Sequence, residues 1–114
     1  MRRMKFPDEV GYEPCTSIDE YGTCAFGEKV TLKCSIEYVE KNIKDLNDNE
    51  FMTSAWIAFH PTVGSVIKRY DRITLPDNSQ QYIGSIAQRK NKRLKKITYI
   101  EVYVGRVAPG EGVM

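Results

Sequence analysis

The chain is predicted to be all-β: a small antiparallel β-barrel or sandwich with long loops and an extended N-terminal arm. Three features predict this. Val30 to Tyr38 alternates strictly between apolar and polar residues, as does Thr98 to Val104. Pro76-Asp77-Asn78-Ser79 supplies turn chemistry between two short apolar runs, Ile73–Leu75 and Tyr82–Ile86. No segment sustains an apolar repeat at helical spacing, and period two is the mark of a half-buried strand.

The elements follow in order. Residues 1–28 contain Pro7, Gly11, Pro14, Gly22 and Gly27 without sustained periodicity, so they read as an extended arm with Tyr12, Tyr21 and Phe26 as apolar anchors for docking on a partner or on the barrel itself. The β domain is placed at 29–106. In its first strand Val30, Leu32, Cys34, Ile36 and Tyr38 share one face. Lys41 to Glu50 is polar and rich in turn formers, which predicts a loop with at most one helical turn. Phe51 to His60 resumes as a strand, with Thr53, Ala55, Ile57 and Phe59 on one face, ended by Pro61 and Gly64. After the Pro76–Ser79 turn, Pro fixes φ and Asn tolerates the left-handed region, which suits a hairpin. Residues 107–114 are expected to be a flexible tail.

Length and composition set limits. At 114 residues, with 41% hydrophobic and 28% charged residues, the chain is expected to bury one core. No apolar run approaches the ~20 residues that span a bilayer, so no membrane role is expected. Met1-Arg2-Arg3-Met4-Lys5 is followed by Pro7-Asp8-Glu9 where a signal peptide needs apolar residues, so synthesis in the cytoplasm is expected. Cys15, Cys24 and Cys34 make an odd count without close paired spacing, and His60 is the sole histidine. That inventory predicts no metal site and no disulfide framework, although a Cys15–Cys24 bridge is left open by the sequence.

Charge is divided unevenly. Residues 1–50 carry seven basic and eleven acidic side chains, whereas 51–114 carry ten basic and four acidic. Such a split suits head-to-tail contacts between copies, or a face turned to nucleic acid. The sharpest feature is Arg89-Lys90-Asn91-Lys92-Arg93-Leu94-Lys95-Lys96, six cations in eight residues between two strands. Arg89, Lys90, Lys92, Arg93, Lys95 and Lys96 therefore form a candidate DNA-facing or gating loop, a hairpin loop or extended flap that an anion such as the phosphate backbone would neutralise. Protein-facing and solvated roles remain open for it.

Catalysis is not expected. His60 has no nucleophile motif beside it, Asp71 and Asp77 are placed to cap backbone amides, and no phosphate-binding glycine motif occurs. An OB-like or SH3-like nucleic-acid-binding barrel is the generic competitor, with Tyr82, Tyr99 and Tyr103 available for base stacking.

A more specific likeness rests on the order of short motifs: Asp19-Glu20-Tyr21-Gly22, Gly27-Glu28-Lys29-Val30, Ser54-Ala55-Trp56-Ile57, Asp71 to Asp77, Tyr82-Ile83 and Ile100-Glu101-Val102-Tyr103-Val104-Gly105. In this order the chain resembles the head-closure or head–tail connector (neck) proteins of tailed bacteriophages over residues 19–106. It departs in carrying Asn78-Ser79 where a glycine commonly follows the turn, and in the density of its basic run. The resemblance implies a structural barrel subunit, without enzymatic activity or cofactor, assembled in the host cytoplasm into the neck of the virion. Its implied partners are copies of itself in a ring, portal and adaptor proteins above, a tail terminator or tail tube below, and packaged double-stranded DNA in the channel. A tail-terminator role for the chain itself would favour a larger domain with helices.

Overall fold

The computed structural model describes residues 5–44, 50–93 and 96–106. Its strands are β1 (Asp8–Glu13), β2 (Cys15–Ile18), β3 (Cys24–Phe26), β4 (Val30–Tyr38), β5 (Asn42–Lys44), β6 (Glu50–Met52), β7 (Ala55–Phe59), β8 (Arg72–Thr74), β9 (Gln80–Asn91) and β10 (Lys96–Gly105), with one helical turn, α1 (Pro61–Gly64). The all-β expectation holds. Six strands pair antiparallel in the order β1-β4-β7-β10-β9-β8, and the sheet curls until β1 meets β8 through three residue pairs, Gly11–Thr74, Tyr12–Ile73 and Glu13–Arg72.

β4 makes the curl possible. Its first half, Val30 to Cys34, pairs with β1, and its second half, Ser35 to Tyr38, pairs with β7. A strand that changes partner along its length gives the stagger that a tilted barrel requires. Alternation then points Cys34, Ile57, Ile73, Val102 and Val104 inward, all of them fully buried, with Val10 and Tyr12 of β1 in the same cluster. Burial and the Asp8 and Glu9 carboxylates push the Cys34 thiol up to about 12, which keeps it a neutral core residue. The predicted turn is present: Asn78 has φ 69°, its amide donates to the Leu75 carbonyl at 2.9 Å, and Asp77 Oδ1 accepts from the Ser79 amide at 2.9 Å.

Several expectations are corrected. Residues 8–13, assigned by sequence to the extended arm, are the barrel strand β1. Residues 15–18 and 24–26 form a separate two-stranded hairpin beside it. The alternation of Val10 and Tyr12 is too short and too broken by Gly11 and Pro14 to announce a strand. Within 41–50, expected to be a loop, residues 42–44 pair with 50–52, while 45–49 lie outside the described residues. The predicted Phe51–His60 strand is divided, because the Thr53 hydroxyl and amide bond the Val39 and Lys41 carbonyls and turn the chain. Phe51 is thereby seated against Gly84, where an added Cβ would lie 2.3 Å from the ring. A register shift in the β9–β10 ladder at this point leaves Gly84 as the extra residue of a bulge. His60 caps α1, its Nδ1 accepting from the Thr62 amide at 3.2 Å, and this gives the lone histidine a structural job.

The seam between β1 and β8 is tied by Asp71, which is 4% exposed. Its Oδ2 accepts from the Tyr12 hydroxyl at 2.5 Å and the Lys68 amide at 2.7 Å, and its Oδ1 from the Cys15 amide at 2.8 Å. Burial and this carboxylate hold the Tyr12 phenol well above its ordinary value, so it stays a donor. Asp71→Ala strips all three donors of their acceptor and is expected to destabilise the fold by about 2–4 kcal/mol in urea unfolding. Tyr12→Phe, which removes the hydroxyl's contacts with Asp71 and the Val66 carbonyl and keeps the ring, is expected to cost less in the same measurement.

Candidate docking surfaces

The basic run is not a free loop. Arg89 and Lys90 belong to β9 and Lys96 begins β10, so only Lys92 and Arg93 of the candidate cations occupy the described part of the turn; Lys95 lies outside the described residues. β9 and β10 run for 12 and 10 residues, whereas β7 pairs with β10 only from Ile100 onward. The strands therefore continue past the barrel as a two-stranded ribbon. Lys and Arg are poor strand formers in isolation, but at an edge facing water they are tolerated and discourage edge-to-edge pairing.

The base of the ribbon is anchored on the outer wall. Glu101, buried although it points away from the core, accepts from Trp56 Nε1 at 3.0 Å through Oε2 and from Arg89 Nη2 at 2.6 Å through Oε1. The Glu101 hydrogen bond raises the Arg89 guanidinium above its ordinary value. Trp56 meets Tyr99 edge to face at 6.0 Å, and the Thr98 hydroxyl donates to the Arg89 carbonyl at 2.8 Å. On the same wall Lys41 Nζ donates to the Tyr103 hydroxyl at 3.0 Å. Arg89 is thus an anchor of the ribbon. Lys90, Lys92, Arg93 and Lys96 are the exposed cations beyond it, with the turn braced by the Arg93 amide donating to Asn91 Oδ1 at 2.9 Å.

The three aromatic anchors part ways. Tyr12 is a core residue and is withdrawn as a docking residue. Phe26 lies beneath the Arg72 guanidinium, 4.0 Å from the ring centroid, while Arg72 grips Glu13 with two hydrogen bonds of 2.8 and 3.2 Å. Tyr21 alone projects, 85% exposed, at the β2–β3 turn beside Asp19 and Glu20. Asp19 Oδ1 stiffens that turn by accepting from the Tyr21 and Thr23 amides, each at 2.9 Å. The molecule therefore presents an acidic hairpin tip bearing a tyrosine and a separate basic ribbon.

Besides these two projections, a concave surface of about 300 Å³ opens beside the Pro76–Ser79 turn, with Tyr38, Glu40, Asp77, Gln81 and Arg106 among its lining residues. Among the described residues no three His, Cys, Asp or Glu side chains gather as metal ligands. Of the aromatics considered for base stacking, Tyr99 and Tyr103 share the outer wall with Trp56, whereas Tyr82 pairs in register with Arg72 elsewhere on β9. Sequence reasoning missed Glu101, Trp56 and Lys41. The outward placement of Trp56 and Glu101 in the alternation was visible, but not the register that joins them, and Lys41 read only as the start of a polar loop. The sequence matches no protein-family model and no curated protein.

Two outcomes follow. Glu101→Ala leaves the indole N–H without its acceptor and frees Arg89. It is expected to cost about 1–3 kcal/mol and to speed hydrogen exchange across the ribbon while the core strands stay protected. The Arg72 hydrogen bonds hold the Glu13 carboxyl below its ordinary value of 4.5. A lowered carboxylate stabilises the fold above the unfolded value and loses that effect as pH falls through the folded one. Wild type should therefore exceed Glu13→Gln in stability at neutral pH, and the gap should close below pH 4.5 in paired denaturation series.

Proposed function

We propose that the protein is a structural, non-catalytic subunit of a tailed-bacteriophage neck, of head-closure or head–tail connector type. It would form a ring with copies of itself below the portal and adaptor, retain packaged DNA and dock the tail. The observation that carries this reading is the ribbon. An extension anchored at its base, with exposed Lys90, Lys92, Arg93 and Lys96, is an arm suited to reaching a neighbouring chain or a DNA channel. Support also comes from the second, acidic projection at Asp19 to Tyr21. Two different charged surfaces on one subunit are what a cyclic head-to-tail assembly needs. The choice of family rests on the resemblance carried by the motif order over residues 19–106.

A second reading is favoured by the same cations. Four exposed positive charges on one ribbon, near an outer wall bearing Trp56, Tyr99 and Tyr103, suit a small nucleic-acid-binding barrel. In that case the affinity for short single strands should fall steeply with salt.

Electron microscopy of particles made without this gene, in the phage presumed to encode it, decides between the two. Separate tails beside heads that have lost DNA, restored by adding the protein, are expected. Normal tailed virions would overturn the neck role. Reversing Lys90, Lys92, Arg93 and Lys96 to Glu should prevent that restoration while the thermal unfolding of the barrel is little changed.

A further inference from the structure

Cys15 and Cys24 lie on the two strands of the β2–β3 hairpin, where Cys15 pairs with Phe26 and Ile18 with Cys24. In a regular ladder the odd separation between Cys15 and Ile18 would send their side chains to opposite faces. The register shift between Cys15 and Ser17 adds the extra residue that restores parity, so Cys15, Ile18, Cys24 and Phe26 share one face. The two half-buried cysteines sit diagonally on that face, Cys15 opposite Phe26 and Cys24 opposite Ile18, near enough for Cys15 to perturb the Cys24 thiol, while Cys15 Sγ itself donates to the Ser17 carbonyl at 3.5 Å. Both are tied to the segment before β8: the Cys15 amide donates to Asp71, and Cys24 Sγ lies 3.8 Å from the Tyr70 carbonyl oxygen.

We infer that Cys15 and Cys24 are a preorganised dithiol that closes into a disulfide across the hairpin on meeting a small disulfide oxidant of the glutathione class. One protein thiolate attacks oxidised glutathione, forming a mixed disulfide and releasing one glutathione thiolate. The second protein thiolate then attacks the protein sulfur of that mixed disulfide. The Cys15 Sγ–Cys24 Sγ bond forms and the second glutathione thiolate leaves. Two electrons pass to the oxidant, and the two thiol protons end on the two departing thiolates. Burial and the neighbouring Cys15 push the Cys24 thiol up to about 11, so it supplies thiolate sparingly at neutral pH and the closing step is slow there. The bond would close the acidic Asp19–Tyr21 tip into a covalent loop, locking together two strands otherwise held by a short ladder.

The test is native oxidation of the full chain with oxidised glutathione at about pH 8.5, near the ordinary thiol value, followed by alkylation and peptide mass mapping. The expected product is a Cys15–Cys24 disulfide with Cys34, which is fully buried, left as a thiol. Cys24→Ser is expected to stop at a mixed disulfide on Cys15. In the oxidised protein, amides of residues 17–25 should exchange at least about tenfold more slowly, as a closed loop restricts local opening. Stable glutathione adducts on both cysteines, unreacted thiols, or equal yields of bridges to Cys34 would each overturn the proposal.

Discussion

Asp71 is the constraint on which the rest of this structure depends. A curled sheet of six strands must bring its first and last strands together, and here that seam is short. β1 and β8 share three residue pairs, too few to hold two strand edges against the entropy of opening. The buried carboxylate supplies what the ladder lacks. It collects the Tyr12 hydroxyl from β1, the Cys15 amide where the chain leaves β1, and the Lys68 amide from its own loop. A buried carboxylate is costly unless its oxygens are occupied by donors, and that cost makes the arrangement specific. Just outside the core, the Glu13–Arg72–Phe26 stack covers the same seam.

The outer wall follows a related logic. Glu101 occupies a position that alternation assigns to solvent, yet Trp56, Arg89 and the flanking tyrosines enclose it. This converts the stem of a two-stranded ribbon, marginal by itself in water, into an extension of the barrel. The cations beyond Arg89 are therefore presented at a defined height and direction. Arg89 itself, though part of the same charge run, is spent on the stem. The six positions that look equivalent in sequence thus fall into an anchor, a set of exposed charges and one residue outside the described chain.

Phe51 shows how a small barrel uses an insertion. The β5–β6 hairpin delivers its ring to Gly84 and Gly105, positions where a Cβ would stand within 3 Å of it. The bulge at Gly84 gives the space, and the ring fills it. Glycine is required there by close approach, not by backbone conformation. A hairpin that seems an excursion from the barrel is in this way part of its packing.

The sequence by itself determined the strand class, the inward faces of β7 and β10 and the centre of that of β4, whose ends Val30 and Tyr38 are exposed, and the turn with Asn78 in the left-handed region. Each of these depends on near neighbours: alternation, a fixed proline φ, a side chain tolerant of positive φ. It also showed that Asp71 and Asp77 would cap amides, since carboxylates beside turns have few other partners. Tertiary structure alone decided that residues 8–13 complete the barrel, that residues 42–44 and 50–52 pair, and that Arg89 belongs with Glu101 and Trp56. Apart from the short-range pairing of 42–44 with 50–52, those contacts join residues 12 to 63 positions apart. Pairing over such distances is chosen by register and by the closure of the whole sheet, which no local run of residues encodes. Tyr12, Tyr21 and Phe26 make the point within one segment. Their aromatic character was legible, but only the fold buried the first, stacked the third beneath Arg72 and left the second to solvent.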